Sequence, residues 1–128
     1  MKSMRNAGAA TLAAAALALP ASAAAPPRPL VYITLSSYAF QPSPIYLPAG
    51  VPVRLIFTNR SGSTHEFDAP SFFRSARILA GRAPNGEVEV KKGRTAVIDL
   101  VPARSTYKVH CGRPFHTMLG MTTRVIVS

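Results

Sequence analysis

A single cysteine and only five acidic residues stand in a chain of 128. One thiol excludes an intramolecular disulfide, a cysteine-rich zinc module and a Cys-x-x-Cys-His haem attachment. The scarcity of Asp and Glu leaves a formal net charge of +10, yet charged residues of both signs make up only 16% of the chain and apolar ones 48%. A disordered polyelectrolyte has the opposite balance, so one packed domain is expected. Long hydrophobic runs are also missing. The longest, residues 7–19, falls well short of the roughly 20 residues that span a bilayer.

That run follows Lys2 and Arg5 and is closed by Pro20 and the small residues Ala21, Ser22 and Ala23. The layout is that of a secretory signal peptide over residues 1–23, leaving a domain over residues 24–128 in the periplasm or another secreted compartment. Loss of Lys2 and Arg5 lowers the net charge to about +8, so the basic character belongs to the domain itself. No twin-arginine pair precedes the apolar run, and any cofactor is therefore expected to be acquired after export.

Beyond residue 29 short runs rich in Val, Ile, Leu, Phe and Tyr alternate with Pro, Gly, Asn and Ser clusters. These patterns predict strands over residues 30–35, 45–47, 51–58, 87–90, 95–100, 106–111 and 122–127, an all-β sandwich. Twelve prolines argue against a helical bundle. Residues 71–83 are the exception and predict one short helix or an irregular crossover.

The soft donor atoms gather near the end of the chain. Cys111, His116 and Met121 follow one another with spacing Cys-x4-His-x4-Met between two predicted strands, so one hairpin loop can bring them together. His65 offers a second imidazole. Thiolate and thioether favour copper, imidazole suits both of its oxidation states, and a trigonal His65, Cys111, His116 set with weak axial Met121 is the blue-copper arrangement. Strand parity puts Tyr107, Val109 and Cys111 on one face and His110 on the other, away from such a site. Read one at a time, Cys111 is equally an inert buried thiol, Met118 and Met121 are packing residues, and His65 is a loop histidine beside Glu66. Together they favour a metal, because a lone thiol at an oxidising address needs a metal or burial to protect it.

The same residues resemble the cupredoxins, the small blue-copper proteins. The resemblance covers nearly all of the expected mature domain: Phe40 and Pro42, residues 48–51, the turn from Asn59 to His65, and the Tyr107, Cys111, His116, Met121 pattern. It implies a Greek-key β-sandwich of about seven or eight strands. It also implies a single Cu(I)/Cu(II) ion, with His65, Cys111 and His116 as equatorial ligands and Met121 as the axial one. The function implied is one-electron transfer without substrate turnover. Two positions depart from the family pattern. Glu66 stands where Asn often follows the first ligand: turned inward its carboxylate would lower the reduction potential or add a ligand, whereas strand alternation favours a solvent-facing or Arg-paired side chain; Thr123 replaces a common Gly.

Pro114, Phe115, Met118 and Leu119 surround His116, and the resemblance implies an apolar patch where a redox protein partner docks on the monomer. The positive charge favours an acidic partner or peripheral contact with an anionic membrane surface. Export and the lack of a basic helix argue against nucleic acid, and the Lys91, Lys92, Arg94 cluster reads as a solvated turn. The alternative function on the same ligands is copper handling, meaning sequestration or delivery. A metal-free adaptor is a third reading, against which the four retained ligand types count.

Overall fold

Alternation of apolar and polar side chains organises the longer strands. In β4 (Val53–Asn59) the residues Val53, Leu55 and Phe57 are buried while Arg54 between them is exposed, and β10 (Thr122–Val127) buries Thr123, Val125 and Val127 in the same rhythm. The computed structural model describes residues 1–21 and 27–128. Residues 1–21 are exposed and without regular structure, and most of the expected cleavage signal lies outside the described residues. No helix among the described residues is long and apolar enough to cross a membrane.

The remaining elements are β1 (Leu30–Ser36), β2 (Ala39–Gln41), β3 (Ile45–Leu47), β5 (His65–Asp68), α1 (Pro70–Ser75), β6 (Arg77–Ala80), β7 (Glu87–Val90), β8 (Thr95–Val101) and β9 (Ser105–His110). Two five-stranded sheets result, ordered β2-β1-β4-β8-β6 and β3-β10-β9-β5-β7. β1 pairs with β4 and β3 with β10 in parallel, and the other pairs are antiparallel. The inner faces pack Phe40, Phe57, Phe67, Ile33, Leu55, Ile98 and Leu100 into one core.

The β-sandwich is the expected one, but the described residues hold ten strands where the sequence pattern predicts seven. The three additions have weak signals for physical reasons. β2 has only three residues, β5 has Phe67 as its one aliphatic or aromatic residue, and β6 is an edge strand whose Ile78 stays exposed. β4 begins at Val53 rather than residue 51, beyond Pro52, which has no N–H to donate to a ladder. Residues 71–83 divide between α1 and β6. The helix starts with Pro70 at its first position, buries Phe72 and Phe73, and ends where Ala76 turns extended. Gly86 permits the following return: with φ of +77° it lies so close to Pro70 that any Cβ would collide with it.

One polar cluster ties the start of the domain to this scaffold. Asp99, 2% exposed, accepts hydrogen bonds of 2.7 and 2.9 Å from Arg54 and a further one from Arg28. The Arg54 hydrogen bonds hold the Asp99 carboxyl below the usual carboxylate range, against the opposing pull of burial.

Candidate metal centre

Three donors converge at one end of the sandwich. His65 opens β5, fully buried and paired with Val90 of β7. Cys111 is the first residue beyond β9, also buried, and His116 lies five residues later in the loop to β10. The Nδ1 atoms of His65 and His116 are 3.1 Å apart, and Cys111 Sγ lies 3.3 Å from Nδ1 of His116 and 3.9 Å from Nδ1 of His65. A point equidistant from the three lies about 2.0 Å from each, close to the ~2.0 Å metal–nitrogen and ~2.3 Å metal–sulfur lengths of a first-row ion. The three residues form a group able to hold a metal ion.

The loop that carries two of them is clamped by its own backbone. Cys111 donates its N–H to Met121 O at 3.1 Å, and Met121 donates its N–H to His116 O at 3.0 Å. Met121 is thereby fixed beside both ligands with its side chain fully buried. Thr117 Oγ1 donates to Cys111 O at 3.1 Å, closing the loop from inside. Phe115 takes φ of +66°, a left-handed conformation costly for a bulky residue and tolerated where the surroundings enforce it.

Burial acts in opposite senses on the two buried donors. Burial pushes the Cys111 thiol up, opposed by the Glu66 backbone N–H, which donates to Sγ at 3.3 Å. Burial pushes His65 down, helped by the nearby His116 and Arg113 charges, so its imidazole is neutral and able to ligate at neutral pH. A bound cation would displace the Cys111 proton and stabilise the thiolate.

Glu66 is paired rather than solvent-facing. It is 9% exposed, and its carboxylate lies 3.8 Å from the Arg113 guanidinium. Gly112 makes room, since a Cβ there would come within 2.5 Å of Glu66 Oε2. His110 points away from the donors and lies 3.1 Å from Asp68. Glu87, opposite Asp68 in the ladder, is pushed up by burial and by the charges of Glu66, Asp68 and Glu89. Beside the donors Phe115, Met118 and Leu119 are 73%, 82% and 56% exposed, Pro114 is exposed as well, and His116 is partly buried.

Three further residues shape the site, of which only Asn59, at the head of the turn leading to His65, was marked in the sequence. The turn between β1 and β2 brings Ser37 Oγ to 3.1 Å from His65 Nε2, and the Tyr38 ring packs edge-on with its centroid 5.0 Å from that of His116. Asn59 donates from Nδ2 to Ser63 O and Val90 O, both at 2.8 Å, holding the loop that leads into His65. Each lies far along the chain from the ligand loop, so only the packed sheets bring them into register. Phe40, two residues after Tyr38, was the nearest clue.

A family model described as Cupredoxin-like domain matches residues 9–127, and the chain belongs to that family. No curated protein sequence matches it. Among solved structures it is similar to the dithionite-reduced auracyanin of the photosynthetic bacterium Roseiflexus castenholzii. The identity there is 18% and the TM-score 0.58, over 77% of this chain and 96% of that one. Auracyanin A of Chloroflexus aurantiacus, described as a "blue" copper protein, is likewise 18% identical with a TM-score of 0.56, over 77% of this chain and 98% of that one. A multicopper oxidase of Campylobacter jejuni, described as a metallo-oxidase, matches with 12% identity and a TM-score of 0.62, over 83% of this chain but 31% of its own. With family membership established, one thiolate, two imidazoles and a nearby buried thioether fit a single type 1 copper ion.

Proposed function

We propose that the chain is an exported one-electron carrier, with His65, Cys111 and His116 as the strong copper ligands and Met121 as the weak axial one. The observation that carries this reading is the donor triangle of 3.1, 3.3 and 3.9 Å, with the buried Met121 bonded through its backbone to Cys111 and His116. Bound copper supplies a one-electron couple between Cu(I) and Cu(II). The protein's own part is to keep the donors still. His65 is fixed by β5, and Cys111 and His116 by the backbone clamp to Met121, so little rearrangement accompanies a change of charge. The similarity to the multicopper oxidase concerns about a third of that protein and supports the fold alone. The basic, apolar leader of residues 1–23 supports export to the periplasm or beyond.

The first test is the visible spectrum of the mature protein titrated with Cu(II). An intense thiolate-to-copper band that bleaches with ascorbate and returns on reoxidation, with copper retained, is expected of a carrier. A colourless adduct rejects the type 1 site. Loss of the ion to an acceptor on reduction favours the copper-handling alternative.

The docking surface we assign is the exposed group Pro114, Phe115, Met118 and Leu119 beside His116. Cations stand on the turn beside the loop that enters His65. The turn holding Lys91, Lys92 and Arg94 is bonded to the loop entering His65 through Gly93 N–H to Asn59 O and Asn59 N–H to Arg94 O, both 3.0 Å. An acidic redox partner fits this combination. The double variant Phe115→Asp, Leu119→Asp is expected to slow electron exchange with the native partner at least tenfold, with the copper spectrum intact, as ~1.4 kcal/mol of lost docking would. Exchange at the original rate rejects the patch.

A further inference from the structure

We propose that Ser37 is a positioning residue for the metal centre: its hydroxyl accepts the Nε2–H of His65 and holds the imidazole in the tautomer that turns Nδ1 toward Cys111 and His116. The proposal rests on the copper reading above and names the residue that prepares its most buried ligand. His65 is fully buried, and its Nδ1 faces the donor triangle. The opposite nitrogen, Nε2, faces two hydroxyls: Ser37 Oγ at 3.1 Å and Ser63 Oγ at 3.4 Å.

The chemistry of the ring fixes the direction of these bonds. An imidazole that ligates through Nδ1 keeps its proton on Nε2, and that buried N–H needs an acceptor. A hydroxyl at Nε2 could itself donate only if the proton sat on Nδ1, at the position a metal would take. Ser37 is the shorter of the two contacts, which makes Ser63 an auxiliary acceptor. The same turn adds a steric restraint, because the Tyr38 ring meets both histidines edge-on, with centroids 6.3 Å from His65 and 5.0 Å from His116. One turn therefore supplies the acceptor and limits rotation of the rings. Ser37 lies 28 residues from His65, in the turn between two strands of the opposite sheet, so the restraint exists only once the two sheets have packed.

The decisive measurement is nitrogen-detected NMR of the His65 ring in the metal-free protein, paired with Cu(II) titration against a competing chelator. Wild-type His65 is expected to carry its proton on Nε2. In Ser37→Ala the Nδ1–H form gains population, and Cu(II) affinity falls about 10–100-fold, the range for losing a partner of a metal-ligating histidine. Ser37→Thr, which keeps the hydroxyl, restores both. An unchanged tautomer and affinity in Ser37→Ala overturns the proposal. So does a wild-type His65 protonated on Nδ1, a result that needs no variant to fold. Absence of a thiolate band in copper-loaded wild type rejects the copper reading instead, and the metal-free tautomer still decides the role of Ser37.

Discussion

Cys111→Ser is expected to abolish the thiolate-to-copper absorption and to weaken copper binding by more than the ~10–100-fold that loss of an outer partner costs. The sulfur is the one soft anionic donor of the triangle, 3.3 Å and 3.9 Å from the two histidine nitrogens. A hydroxyl there is a harder, neutral donor with a far higher pKa, so a cation no longer displaces its proton at neutral pH. The change is nearly isosteric, and the fold should persist. The Cys111 N–H to Met121 O bond is made by the backbone and survives, while the Glu66 N–H, 3.3 Å from the sulfur, finds an oxygen instead. Absorption and chelator competition on the purified variant measure both effects. A visible band that survives the substitution would show that the colour comes from another site, and the ligand assignment would fall with it.

Why the ligand loop could be read from sequence, while its supports could not, follows from where the constraints lie. Cys111, His116 and Met121 occupy one loop between two strands, so their spacing alone carries the geometry. His65 needed a second strand, and its place in β5 follows from pairing with β7, which no local pattern announces. Parity put His110 on the face opposite Cys111, and it lies against Asp68 there. The same rule suggested a solvent-facing or Arg-paired Glu66. The pairing with Arg113 is present, but the side chain is buried, because the ligand loop folds back over that face and Gly112 admits the carboxylate. Ser37 and Tyr38 were invisible for a different reason. They sit in a turn between two strands of the sheet opposite β5 and reach the centre through the packing of one sheet on the other.

Phe67→Ala should be the most damaging single change in the core, with an expected loss of about 3–5 kcal/mol of unfolding free energy. The ring is fully buried on β5, two residues beyond His65, and its centroid lies 4.9 Å from Phe57, 5.6 Å from Phe40 and 6.0 Å from Phe73. It joins both sheets and α1 in one aromatic cluster, so its removal leaves a cavity that three separate elements would have to move to fill. Its strand neighbour Glu66 donates the N–H to Cys111 Sγ, so disorder spreading along β5 would reach two parts of the metal centre at once. Denaturant unfolding of the metal-free protein measures the loss directly. Copper that binds only the folded chain adds back about 4 kcal/mol when its free concentration is a thousand times the dissociation constant. The variant should therefore be severely unstable without metal and largely rescued with it. A metal-free loss below about 1 kcal/mol would mean that β5 and α1 close over the gap, contrary to the tight packing of a protein interior. A loss of full size with no rescue by copper would show instead that β5 no longer presents His65, placing the aromatic cluster in direct support of the metal centre.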